Sequence, residues 1–127
     1  MEQPTGPLSG LRVIDLTINV LGPVATQILG DMGADIIKVE PPSGDQNRQN
    51  GPGRNPGMSV FYLIMNRNKR SIVLDLKQKE CMEALLKLVE TADVIVHSMR
   101  PSAAERLGIG YDKIRERNPK IIYAYAP

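Results

Sequence analysis

The sequence predicts an α/β fold, a doubly wound and mainly parallel sheet of about five strands with flanking helices. Short apolar runs rich in Val and Ile alternate with segments whose apolar residues recur at helical spacing. The first strand–helix–strand passage has glycine and proline where a right-handed crossover turns, and parallel neighbours require such a crossover. With 127 residues the chain builds one core rather than two.

Residues 12–16 (Arg-Val-Ile-Asp-Leu) form the first strand, entered through Ser9 and Gly10. Gly22 and Pro23 open the first helix; Pro23 suits its first turn, where its missing N–H would have no partner anyway. Val24, Ala25, Ile28, Leu29 and Met32 recur at helical spacing and predict one apolar face. Gly33 terminates the helix in a left-handed conformation, and residues 35–39 (Asp-Ile-Ile-Lys-Val) are the second strand. Residues 40–58, rich in Pro, Gly and Asn and without periodicity, form a long connection of the kind that is functional or mobile.

Residues 59–66 predict a short helix offering Phe61, Tyr62, Ile64 and Met65 for burial. The third strand, residues 70–74, reads as a buried strand. Met82, Leu85, Leu86 and Val89 give residues 78–90 the clearest helical period, and residues 93–97 are the fourth strand. Residues 101–107 make a helical turn closed by Gly108. A further helix over 111–117 ends before Pro119, because the residue preceding proline avoids α geometry. The fifth strand, 121–124, reads as a core strand, with the apolar run continuing to Ala126. A domain seldom stops on a buried strand, so the expectation is an amino-terminal piece of a longer chain. No internal repeat is present.

Lys and Arg total 16 against 14 Asp and Glu, and the net charge of +2 is too small a bias for a nucleic-acid domain. The absence of Trp leaves little for base stacking. Cys81 is a lone cysteine, so there is no internal disulfide and no multi-cysteine metal site, which fits a reducing compartment. Beside the apolar face of a helix it reads as a small core residue. No apolar run is long enough to span a bilayer, and residues 1–10 lack a secretory h-region and the arginines of a transit peptide. The expectation is a soluble, cytoplasmic protein with neither a membrane nor a nucleic-acid partner.

General ligand motifs fail. The segment between the first strand and first helix has one glycine before Pro23 where a dinucleotide fold needs G-x-G-x-x-G, and no G-x-x-x-x-G-K-S/T loop occurs. A receiver domain would need an acidic pair at the end of the first strand, where only Asp15 stands, and a lysine after the fifth, where Ala126 and Pro127 stand. His97, the single histidine, reads as a partly buried structural residue. Asp31, Asp35 and Glu40 have no metal-ligand spacing, and Asp15 and Thr17 read as links between first strand and helix. No self-sufficient catalytic constellation appears, so the expected role is binding.

Binding has a candidate place. Residues 66–77 (Asn-Arg-Asn-Lys-Arg-Ser-Ile-Val-Leu-Asp-Leu-Lys) set cations ahead of a strand and another, Lys77, just after it. In open α/β sheets ligands sit outside the carboxyl ends of the strands. Lys38, Lys77 and Arg100 recur at such ends, with Arg48, Arg54 and Arg106 in neighbouring loops and turns. If the second, third and fourth strands are neighbours, several of these converge on one rim and suit phosphates.

Three motifs carry a family resemblance. The first runs Asp15-Leu16-Thr17, Gly22-Pro23-Val24-Ala25-Thr26, Leu29-Gly30-Asp31-Met32-Gly33-Ala34-Asp35-Ile36-Ile37-Lys38-Val39-Glu40-Pro41 and Gly44-Asp45-Gln46-Asn47-Arg48. The second is the stretch 66–77. The third is Ala92-Asp93-Val94-Ile95-Val96, Arg100-Pro101, Glu105-Arg106-Leu107-Gly108-Ile109-Gly110-Tyr111 and Asn118-Pro119-Lys120-Ile121-Ile122-Tyr123-Ala124. Together they cover nearly the whole chain, which resembles the class III CoA-transferase family, including formyl-CoA and carnitine CoA-transferases and α-methylacyl-CoA racemases.

The resemblance implies a Rossmann-like large domain of which residues 1–127 are the amino-terminal part, without the catalytic and small-domain portions. It implies a coenzyme A thioester as substrate, no prosthetic group, a carboxylic acid acceptor, and a full-length interlocked homodimer. By the same resemblance Leu74, Asp75, Leu76 and Lys77 clamp the adenine and phosphates, Arg100 and Arg106 match phosphate-binding arginines, and Ser98 and Met99 occupy contact positions. Ile18, Asn19 and Val20 lie where the family's first loop faces the thioester, without the His and Gln of formyl-CoA transferases. Pro41 replaces a basic residue that stacks on adenine in some members. The transferases work through an acyl-aspartyl anhydride and an aspartyl-CoA thioester. Their aspartate, like the racemases' His/Asp pair, lies downstream, so this chain alone is expected to be inactive. The racemase branch and a non-catalytic α/β binding module stay open as alternatives.

Overall fold

Strand and helix alternate along the chain. β1 (Arg12–Leu16), β2 (Asp35–Glu40), β3 (Lys69–Val73), β4 (Val94–His97) and β5 (Ile122–Tyr125) form one sheet in the order β3-β2-β1-β4-β5. Every neighbouring pair is parallel. Between them run α1 (Leu21–Asp31), a 3₁₀ turn (Gln46–Gln49), α2 (Val60–Met65), α3 (Lys79–Glu90), α4 (Pro101–Leu107) and α5 (Tyr111–Arg117). The structure is a computed structural model and describes residues 5–127. The expectation about an amino-terminal leader falls partly on residues 1–4, outside the described residues.

Parallel pairing explains the connections. β1 lies at the centre, with Val13 opposite Ile36 of β2 on one side and Val94 of β4 on the other. The chain winds outward to β3, returns, and starts again on the far side of β1. Side chains alternate across the pleat. Ile14 and Leu16 join Val39, Leu74, Leu85, Val89, Ile109 and Ile114 in the larger core cluster. Val13, Ile36 and Val96 face the opposite, smaller cluster with Ala34. α3 buries Leu85 and Val89 completely, each contributing about 2 kcal/mol. Cys81 packs partly buried against the same cluster.

α1 turns a different face inward from the one its apolar spacing predicts. Gly22, Pro23, Thr26 and Gln27 are buried, whereas Ile28 and Met32 are 51% and 39% exposed and Ala25 also faces out; Leu29 packs on the smaller cluster. Two physical reasons decide the rotation. A Cβ on Gly22 would stand 2.4 Å from the Thr17 Cβ, so the small residue lets helix and strand end meet. Thr26 Oγ1 donates to the buried Asp15 carboxylate at 2.6 Å, a bond that a buried charge requires and an apolar residue cannot make.

α2 shows a related correction: Tyr62 and Met65 are buried, while Phe61 and Ile64 are exposed. The third and fifth strands, read as buried, are the two edges of the sheet. Val73 is 58% and Ile122 63% exposed, because each edge strand has a neighbour on one side only. Among the described residues no helix is long and apolar enough to cross a membrane.

Candidate ligand-binding site

The carboxyl ends of four strands surround a groove of about 260 Å³. Leu16 ends β1 and Ile18 follows it; Val39, Glu40 and Pro41 close β2. Leu74, Asp75, Leu76 and Lys77 leave β3, Ser98 and Met99 leave β4, and Leu107 comes from the end of α4. Leu16, Val39 and Leu74 are also members of the larger core cluster, so the floor of the groove is continuous with the packed interior.

Eight of the residues singled out from sequence therefore meet here: Ile18, Pro41, Leu74, Asp75, Leu76, Lys77, Ser98 and Met99. Arg100 and Arg106 are not in the lining. Both are exposed on α4 and its cap, next in sequence to the lining residues Met99 and Leu107. Lys77, Arg100 and Arg106 have no ion-pair partner among the described residues, which leaves one cation free in the groove lining and two free on α4 and its cap. Leu16, Val39, Glu40 and Leu107 had not been singled out as lining; their signal was their place at element ends.

Other expected cations are spent inside the fold. Lys38 is 1% exposed; its Nζ lies 2.8 Å from Asp45 Oδ2 and 3.0 Å from the Thr17 carbonyl. Arg48 grips Glu40 at 2.7 and 2.8 Å and stacks on the Tyr62 ring. The premise that the second, third and fourth strands adjoin is also corrected. β2 and β3 do, but β1 separates β2 from β4, so the rim is wider than a three-strand cluster.

The groove's acidic groups are committed too. Glu40 accepts from Arg48, from Ser71 Oγ at 2.6 Å, from Tyr62 Oη at 3.1 Å and from the Asp45 N–H at 2.8 Å. Burial alone would raise its pKa, but these donors win and hold it down to about 2. The Asp75 carboxylate turns back on its own chain to the Lys77 N–H at 3.2 Å. Neither is poised as a general base. Among the described residues, no cluster of three His, Cys, Asp or Glu side chains could hold a metal.

His97 sits behind the site. It is 2% exposed, with its ring 5.0 Å from that of Tyr123 and 5.4 Å from that of Tyr125, and does not line the groove. Neither ring nitrogen has a hydrogen bond of normal geometry. Burial pushes its pKa below the ordinary range, opposed by the nearby Met99 carbonyl. The sequence reading expected a partly buried ring, and the ring is fully buried.

Comparison with known proteins places this geometry in context. Residues 8–126 match the model of CoA-transferase family III. The chain is 46% identical over 126 residues to a probable fatty acyl-CoA transferase of Mycobacterium tuberculosis, Rv3272, covering 97% of this chain and 32% of that protein. It is 45% identical over 123 residues to the succinyl-CoA:mesaconate CoA-transferase of Haloarcula hispanica, covering 94% and 31%. A crystal structure of Rv3272 superposes with a TM-score of 0.85 at 43% identity, over 96% of this chain and 32% of that one. A CAIB/BAIF family protein from Brucella suis superposes with a TM-score of 0.90 at 36% identity, over 94% and 33%. The chain thus spans about a third of the length of the relatives it matches.

Proposed function

The chain belongs to CoA-transferase family III, and on that premise we propose that its groove receives the nucleotide end of a coenzyme A thioester in an enzyme that moves CoA between carboxylic acids. The observation that carries this reading is the convergence of Leu74–Lys77, with its unpaired lysine, and Ser98 and Met99 on one apolar groove. An apolar slot suits a purine face, and free lysine and arginine side chains at its rim suit phosphates.

The reaction then runs through a nucleophilic carboxylate. The carboxylate attacks the acyl carbonyl and expels the CoA thiolate, giving an acyl anhydride. The thiolate attacks the enzyme's side of that anhydride, releases the donor acid and leaves an enzyme thioester. The acceptor acid reverses both steps. Glu40 and Asp75 are engaged elsewhere, which supports assigning the reacting carboxylate to the portion of such an enzyme that this third does not represent. Residues 1–127 then act as the amino-terminal part of a CoA-binding large domain. The apolar side chains open on α1 and α2, among them Leu21, Ile28, Phe61 and Ile64, support an assembled enzyme in which another layer covers them, as in an interlocked homodimer.

Calorimetric titration of the purified chain with CoA tests the reading. Binding that weakens on Lys77→Ala, with the fold intact, is the expected result. A folded wild-type chain that takes up no CoA at millimolar concentration argues for a non-catalytic module. Turnover of CoA between two acids by this chain would overturn the assignment of the carboxylate elsewhere.

A further inference from the structure

One wall of the groove is not part of a strand. Ile18 lies in the turn between β1 and α1, is 43% exposed and lines the groove. The next residue, Asn19, has φ 66°, a left-handed conformation that a non-glycine residue holds only with support. The turn is pinned at Thr17, Ile18 and Asn19. Thr17 donates its N–H to Asp15 Oδ1 at 2.8 Å, and its carbonyl accepts from Lys38 Nζ at 3.0 Å. Ile18 donates its N–H to Ser98 Oγ at 3.3 Å. The Asn19 carbonyl accepts from Asn47 Nδ2 at 2.6 Å, and its side-chain oxygen accepts from Gln46 Nε2.

Asn47 is built to serve as the fixed side of this contact. It is 4% exposed, although it belongs to a turn inside a long connection. Its N–H donates to Asp45 Oδ1 at 2.8 Å, its carbonyl accepts from Ser59 Oγ, and its Oδ1 accepts from Asn50 Nδ2 at 3.2 Å. Asp45 is anchored in turn by its buried ion pair with Lys38. With every other polar atom held from the loop side, the amide of Asn47 is aimed at Asn19.

We propose that Asn47 is a positioning residue for the ligand groove: its side-chain amide holds Asn19 left-handed and so sets where the Ile18 wall stands. The identity of the ligand rests on the CoA reading above; the positioning role does not. The role also gives the irregular 44–59 segment a task at a site that it reaches through Asn19.

NMR on the chain with labelled isoleucine methyls, combined with amide hydrogen exchange, tests the proposal. Asn47→Asp keeps the shape, removes the donor and sets an oxygen against the Asn19 carbonyl. It should shift the Ile18 methyl signal and speed exchange at the Ile18 amide by about fivefold, the effect of losing a bond of roughly 1 kcal/mol, while the Ile14 and Ile95 signals stay in place. Arg54→Ala, in the same long connection but with no hydrogen bond to Asn47 or Asn19, should leave Ile18 unmoved. Asn47→Ala combined with Asn19→Gly should restore the Ile18 signals, because glycine adopts the left-handed conformation unaided. An unmoved Ile18 in Asn47→Asp, an equal response in Arg54→Ala, or failure of the glycine rescue, unfolding included, overturns the proposal. Adding CoA separates the two questions: if CoA perturbs no signal of the wild type, the ligand reading fails while the Ile18 signals still decide the role of Asn47.

Discussion

Lys69 reaches from β3 across β2 and sets its ammonium 2.9 Å from the Asp15 carboxylate of β1, with both side chains sealed from solvent. The same Nζ donates to the Pro23 carbonyl and to Asn66 Oδ1, each at 2.9 Å, so all three of its protons are used. One lysine thus joins an edge strand, the central strand, the start of α1 and the end of α2.

Removing that lysine takes from a buried carboxylate its one direct ion-pair partner among the described residues. Lys69→Met is expected to destabilise the chain by about 3–5 kcal/mol in urea unfolding, the usual cost of orphaning one member of a buried pair. A loss below about 1 kcal/mol would mean that Asp15 keeps its charge satisfied by Lys38 and the Thr17 and Thr26 hydroxyls alone.

Stability should also fall in acid through Glu40. Its folded pKa, about 2, lies below the ordinary 4.5, so the ionised form favours folding. The contribution is complete above about 4.5 and is lost as pH drops toward 2. It is on the order of 2 kcal/mol once screening at the partly open Arg48 is allowed for. Unfolding curves for Glu40→Gln, recorded across that window, should be flatter than those of the wild type by this amount.

His97 acts in a higher window. Its folded pKa is lowered from 6.5 by burial, so the neutral ring is the native form. Its contribution is whole above that value and is lost as pH falls through the folded pKa. His97→Phe, which keeps a ring between Tyr123 and Tyr125, should remove the slope just below 6.5. An unchanged slope would assign it to other groups.

The two sides of α1 predict opposite tolerances. Gly22→Ala drives a Cβ into Thr17 and should cost about 1–3 kcal/mol. Ile28→Lys lies on the exposed apolar side and should stay within about 0.5 kcal/mol. Thermal melts of the two variants are enough to compare them.

The cations beside the groove should act as surface charges. Arg100→Ala and Arg106→Ala are each expected to weaken CoA binding by about two- to fivefold at low salt, with the effect shrinking as salt is added. An affinity that ignores both substitutions would place the phosphates elsewhere.

Much of the fold was legible in the chain because turn chemistry and apolar runs agreed. Pro23, Gly33, Gly108 and Pro119 bound their helices much as their local physics requires. The orientation of α1 was not legible, since periodicity records where apolar residues lie and not which face a buried carboxylate recruits. Thr26 inside and Ile28 outside follow from Asp15, and that relation exists only in three dimensions. Edge and centre were likewise hidden: Ile72, Val73 and Leu74 read as one short apolar run, yet Leu74 is buried and Val73 exposed on the edge strand. At the groove, a resemblance pointed to 74–77 and 98–99, while Glu40 and Lys38 show how little a charge's position in sequence says about its freedom. Asn47 lies outside any periodic pattern and became visible only through its partners.

The position of β1 bears on how the chain assembles as it is made. β1 needs partners on both flanks, yet Val13 meets Ile36 early and Val94 only after β3 and α3 have been added. At ribosomal speeds of about 5–20 residues per second, the nascent chain holds its first three strands for seconds with the inner edge of β1 bare. That edge carries Ile14, later one of the most deeply buried residues. Long-range closure of this kind slows folding and leaves an edge open to mispairing. A strand that ends as the centre of the sheet therefore begins as its most vulnerable border.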